Sequence, residues 1–313
     1  MTRSLTDAKA PAKMQAPAPP RRRHRARRHR MLLFVLPALL VYVVIVIVPN
    51  AQGVWFSFTD YDGLNPVPDF IGIDNYVRFF QDPQTVKGLT NTITLAITTT
   101  IVENAIGLLL ALALNSKIKS RHALRVVFFA PFVVITVVVS FLWQFIFTPE
   151  GPINAILRAV GLGALAHNWL GDPGSALWSI CVIVVWQFAG YTMVIYLAGL
   201  QGVPEEQLEA AALDGASAIQ RFWYVTRPLL APALTVNLVL SLIRGFMIFD
   251  QIWVTTQGGP ARSTDSLSTL IFRNGFQNGE LGYAAAIAVA LAVLVAAFAL
   301  LQYRYMIRSG AAR

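Results

Sequence analysis

Two ionisable side chains of this 313-residue chain sit where charge is costly: Glu103 and Arg244 each lie inside a long apolar stretch. Charges placed in a bilayer normally face a bundle interior or a polar pathway. The two could pair with each other, or either could line such a pathway. Other residues in the apolar stretches carry amides or aromatic faces that could meet a solute. Gln187 and Tyr191, at i and i+4, share one helical face. Asn237 carries an amide that needs a partner in an apolar setting, and Phe249 adds an aromatic face. Bond-making chemistry has no residues to perform it. The four histidines (His24, His29, His122, His167) lack metal-ligand spacing, and no nucleophile stands with a base. A phosphate loop of the GxxxxGK[ST] type is absent from the sequence. The chain reads as a non-enzyme that binds no metal or cofactor itself.

The elements that must position these residues follow from composition. Hydrophobic residues make up 56% of the chain and charged ones 13%, against ~25% charged in soluble domains. Too little polar surface remains to cover a water-soluble globule, so the fold class expected is all-α, a polytopic membrane protein. The single cysteine, Cys181, excludes an intramolecular disulfide framework. A membrane helix needs ~20 apolar residues to cross ~30 Å of hydrocarbon. Six stretches qualify, over 31–48, 91–114, 124–147, 176–198, 229–249 and 283–301. The second is rich in threonine, whose hydroxyls can bond carbonyls one turn back.

Orientation comes from the basic residues. Residues 21–30 read RRRHRARRHR and abut the first apolar run. That position suits the cytoplasmic flank of a first span better than a nucleic-acid arm, so no nucleic-acid partner is expected. With the start inside, nineteen Lys and Arg fall on cytoplasmic segments and five on external ones, as the positive-inside rule requires. The domain division expected is a disordered basic cytoplasmic tail over 1–30, a six-span domain over 31–307, and a cytoplasmic end over 308–313. The loops read as external carry ten acids against five bases, an acidic face that could help dock a partner.

One connection is unlike the others. Residues 199–228 form a thirty-residue segment too polar to span, GLQGVPEEQLEAAALDGASAIQRFWYVTRP. Pro204 suits the first position of a helix, and Glu205 and Glu206 then meet the positive end of its dipole. Leu208, Ala211 and Ala212 make a short, flat, small-residue face, and Gly215 permits a tight turn. A second short helix, over 218–226, leads to Pro228 and the next span. Such a helix is shaped to dock into a cleft of another protein; its alanine face gives little affinity for lipid.

Glu209, Ala210 and Ala211, three residues, Gly215, then Val225 and Pro228 resemble the EAA loop of binding-protein-dependent ABC importer permeases. Val225 stands for the usual Ile, and Arg227 departs from the usual Leu. SFTDYDG at Ser57, FIGIDNYVRFFQDP at Phe70, GLLLALALN at Gly107, FDQIWVTTQGGP at Phe249 and GYAAAIAV at Gly282 are similar to the carbohydrate-uptake branch. They point to the first of two paired permeases of the maltose- and glycerol-phosphate-importer type.

The resemblance implies a type I ABC importer transmembrane domain in a bacterial plasma (inner) membrane, forming half of a translocation pathway for a sugar. It implies as partners a homologous second permease, an ATPase homodimer or heterodimer that uses ATP and Mg, and an extracytoplasmic solute-binding protein. Coupling to the ATPase would fall to Glu209, Ala210, Ala211, Asp214, Gly215 and Pro228; the pathway candidates are Gln187, Tyr191, Asn237, Arg244, Phe249 and Glu103. A glycerol 3-phosphate or polyol importer is the alternative within the family. A secondary carrier, which needs no ATPase, is the alternative outside it; no internal repeat favours that reading.

Overall fold

The computed structural model describes residues 35–116 and 118–308, so the expected basic tail over 1–30 and the C-terminal end past 308 lie outside the described residues. Two units are distinguished. One ends at Gln52, and its described part belongs to the apolar helix α1 (Val35–Phe56), which has a π turn at Val43–Ile47. The other, from Gly53 on, holds all that follows.

Its helices are α2 (Asp74–Gln81), α3 (Pro83–Leu114), α4 (Arg121–Val133), α5 (Thr136–Ile146), α6 (Pro152–Ala159) and α7 (Ala176–Gln201). After them come α8 (Glu205–Leu213) and α9 (Ala218–Leu229), the latter with a π turn at Phe222–Thr226. The last are α10 (Ala231–Phe246), α11 (Asp250–Thr255), α12 (Leu267–Phe272) and α13 (Leu281–Arg308). Among the described residues the only β pairing is an isolated bridge between Thr59 and Phe70.

Four helices, α1, α3, α7 and α13, are long and apolar enough to cross a membrane; the count reaches six if two bent pairs are each one span. The long α3 extends eight residues before its expected start at 91. Pro83 opens it, and the Asp82 carboxylate caps it by accepting the Gln84 N–H at 3.0 Å.

One bent pair corrects the expectation of an unbroken span over 124–147, and the other falls where a short helix was expected to meet the next span. Over 124–147 the chain forms α4 and α5, inclined at 99°, because Pro131 cannot donate within α4 and Val134 and Ile135 turn extended (ψ 135° and 133°). Over 218–246, α9 and α10 meet at 72°. The fifth apolar run also ends sooner than expected. α10 stops at Phe246, and Phe249 becomes the residue that precedes α11.

Helix contacts rest on small residues and apolar layers. α4 crosses α7 at Gly190, where a Cβ would collide with the Phe128 carbonyl, so only glycine allows the two backbones to approach. Ala111, Leu114, Met193, Tyr196, Leu197 and Leu230 form one buried cluster of α3, α7 and the start of α10. Leu242, Phe246, Leu267, Leu270, Tyr283 and Ile287 form another, which joins α10, α12 and α13.

Candidate functional site

The apolar bundle contains a continuous seam of polar side chains contributed by α3, α7 and α10. Glu103 on α3 is 1% exposed and meets the Arg244 guanidinium of α10 at 2.6 Å. The Thr192 hydroxyl of α7 donates to the same carboxylate at 2.5 Å. One residue further along α3, the Asn104 amide donates to the Ser241 hydroxyl at 2.8 Å and accepts from the Tyr196 hydroxyl at 2.5 Å. Asn237 closes the seam by donating to the Thr192 carbonyl at 3.1 Å. A buried polar group without a partner costs several kcal/mol in hydrocarbon, so these bonds set how the three helices register against each other.

The two intramembrane charges are thus one ion pair. The Arg244 side chain remains 24% exposed, and its guanidinium lies 4.2 Å from the Phe188 ring centroid and 5.5 Å from that of Tyr191. Beyond it opens a cleft of about 280 Å³, lined among others by Thr136, Phe188, Arg244, Phe249, Asp250 and Gln251.

Of the other pathway candidates, Phe249 lines this cleft and stacks on Trp253 with centroids 5.6 Å apart. Tyr191 stacks instead on Phe132 of α4 at 4.6 Å. Asn237 is buried in the seam. Gln187, also 1% exposed, serves the α4–α5 break: its amide donates to the Val134 carbonyl and the Thr136 hydroxyl at 3.3 and 3.2 Å. Its own oxygen accepts from Gln251 at 3.3 Å. The break therefore leaves its free carbonyl satisfied at membrane depth.

Thr192, Asn104, Ser241, Gln251, Thr136 and Phe188 complete the site and were not singled out from sequence. A signal for three of them exists. Asn237, Ser241 and Arg244 fall on one face of a helix, and Asn104 adjoins Glu103. Polar residues recurring at helical spacing inside an apolar run mark an interior seam.

The segment 199–228 is built differently. α8 buries none of its residues. Pro204 precedes the helix at ψ 126°, so Glu205 is its first residue, one position later than expected. Gly215 takes φ +81°, and the Ala216 and Gly215 N–H groups donate back to the Ala211 and Ala212 carbonyls at 2.9 and 3.1 Å. This is a Schellman closure, in which an L side chain would be strained. Glu209, Ala210 and Asp214 face solvent, Ala211 is half-buried, and Pro228 lies on the exposed side of α9. Leu213 is 90% exposed, Ile219 72% and Tyr224 80%. Arg227, the departure from the EAA pattern, lies across the Trp223 ring at 5.0 Å.

Three of the ten acids in the loops read as external form ion pairs within the chain. Glu280 pairs with Arg78 at 2.8 Å, Glu150 with Arg158 at 3.1 Å, and buried Asp265 with Arg273 at 2.6 Å. Burial pushes the Asp265 carboxyl above its usual range, with Arg273 pulling the other way.

Over residues 103–307 the chain matches the family described as "binding-protein-dependent transport system inner membrane component", and it belongs to that family. This is the family that the EAA pattern indicated. It is 35% identical over 276 residues to the probable ABC transporter permease protein YurN of Bacillus subtilis, covering 87% of this chain and 94% of that one. It is also 35% identical over 271 residues to the multiple sugar-binding transport system permease protein MsmF of Streptococcus mutans, covering 87% and 93%. Its fold is similar to a chain in the crystal structure of a bacterial ABC transporter involved in the import of the acidic polysaccharide alginate. That likeness has TM-score 0.79 and 25% identity, covering 90% of this chain and 96% of that one.

Proposed function

We propose that the chain is one of two permease subunits of an ATP-driven, binding-protein-dependent sugar importer, with both termini cytoplasmic and α8 as its coupling helix. The observation that carries the coupling role is the exposure of α8 and its surroundings. A helix that buries nothing, flanked by Leu213, Ile219 and Tyr224 in the open, lacks the partner that such apolar surface requires. A cleft in a separate ATPase subunit, present as a homodimer or heterodimer and using ATP and Mg, supplies it. The sugar assignment rests on family membership and on the aromatic and amide groups around the cleft.

The mechanism follows from two-state linkage. The ATPase pair binds one arrangement of the two coupling helices better when it holds ATP, so nucleotide shifts the permease between inward- and outward-open states. The solute-binding protein loads the outward state. Within this chain the polar seam makes α3, α7 and α10 move as a body. The bends at α4–α5 and α9–α10 are places where the helix direction changes, and Gln187 keeps the carbonyl freed at the first of them hydrogen-bonded.

The test is a mild-detergent pull-down on the tagged chain beside Gly215→Glu. A Cβ at Gly215 meets nothing within 4 Å, so the substitution strains the Schellman turn without reaching the bundle. Recovery of a second permease and an ATPase, with the ATPase lost and uptake abolished in the variant, is expected. A chain recovered alone would turn the interpretation to a secondary carrier.

A further inference from the structure

We propose that the cleft in front of Arg244 selects solutes without negative charge, and that Glu103 is the residue that sets this preference. This rests on the permease reading above and narrows the solute class.

The argument is one of local charge. The exposed part of Arg244 is the only cationic side chain among the lining residues of the cleft, and an isolated arginine there would attract phosphate or carboxylate. It is not isolated: Glu103 holds its guanidinium at 2.6 Å from behind. The pair is neutral as a unit. Asp250, on the rim and exposed, then adds a charge that nothing in the cleft offsets. An anion entering would meet a spent cation and a free carboxylate, and like charges brought together in a restricted site are strongly disfavoured.

What remains attractive suits an uncharged polyhydroxy ring. Phe188 and Phe249 offer apolar faces; the Thr136 hydroxyl and the Asp250 carboxylate offer hydrogen-bonding edges. A volume of about 280 Å³ is at the small end of ligand sites, room for about one ring at a time.

The experiment uses the copurified importer in lipid nanodiscs and equilibrium binding of radiolabelled maltose, trehalose and cellobiose, each against its phosphorylated counterpart. The wild type is expected to retain at least one neutral sugar with about tenfold or greater preference over the phosphorylated form. Glu103→Gln, which frees the arginine charge, shifts that ratio about tenfold toward the phosphorylated sugar, and Glu103→Gln with Arg244→Gln removes the gain. Asp250→Asn shifts the ratio the same way by a few fold and, being at an exposed position, does so in a folded bundle.

A wild-type preference for the phosphorylated sugar would overturn the proposal. So would an unchanged ratio in both Glu103→Gln and Asp250→Asn. Failure of an assembled complex to retain any probe would overturn the solute class and leave the permease reading standing. Failure of the ATPase and second permease to copurify would refute that reading, and the proposal with it.

Discussion

The seam inside the bundle and the helical segment that carries α8 are both short of apolar bulk, yet they solve that shortage in opposite ways. In the seam every charge and amide that the sequence places in the apolar stretches finds a partner in the same chain: Glu103 with Arg244 and Thr192, Asn104 with Ser241 and Tyr196, Asn237 with the Thr192 carbonyl. Around α8 the side chains find almost none, and Leu213 and Tyr224 are left in the open. The difference separates polar groups that are satisfied within the chain from a segment whose apolar groups stay exposed. Burying unpaired polar groups in hydrocarbon is prohibitive, whereas exposing a few apolar groups to water is tolerable until a partner arrives.

Breaking the seam should cost most. Glu103→Ala leaves Arg244 without its counter-charge and is expected to lower bundle stability by about 3 kcal/mol, read as a fall in Tm in detergent. Restoring the pair in reverse, with Glu103→Arg and Arg244→Glu, should recover part of that loss; an unchanged Tm in the single variant would show that the pair is not structural. Next in size is Gly190→Ala. It forces α4 away from α7 at the Phe128 carbonyl, for about 2 kcal/mol and a matching Tm decrease.

Gly215→Ala should separate the two regions. Its left-handed turn costs an alanine about 1 kcal/mol, so Tm in the isolated chain should barely move while copurification of the ATPase weakens. Equal effects on both would erase the distinction between a finished bundle and an unfinished loop.

The smallest effect concerns Asp82. Burial by itself would raise its carboxyl, but hydrogen bonds from the Thr85 hydroxyl and from the Gln84 and Thr85 N–H groups outweigh it, and the group is held below its usual range. A depressed folded value means that the cap stabilises α3 fully above about pH 4, the unfolded value, and loses that contribution as pH falls through the folded one. Asp82→Asn keeps a capping oxygen and should remove this acid-dependent loss in a pH series of Tm.

Much of this contrast was legible in the order of residues. Glu205, Glu206, the alanines and Gly215 specify a short helix with a sharp end through local forces alone, namely the dipole, the small side chains and the left-handed turn. Only the starting residue shifted, because Pro204 takes an extended ψ. The pathway candidates fared differently. Gln187 and Asn237 have the chemistry to meet a solute, and in this structure both are hydrogen-bonded to other helices. One satisfies the carbonyl released at Val134 and the other ties α10 to α7. Phe249 was counted inside a span and lies beyond it. Hydropathy averages over a window and cannot register that Pro131 breaks one apolar run, or that α10 ends at Phe246.

The sequence alone determined that the chain is a membrane protein and which family it belongs to. Each of these depends on the cost of transferring a segment to hydrocarbon or on local geometry within a few residues. Which charge meets which amide was decided by the tertiary structure. Residues 103 and 244 are 141 positions apart, and only the packing of α3 on α10 brings them to 2.6 Å. Pair energies fall off over a few ångströms, so they belong to distances in space that no spacing along the chain encodes.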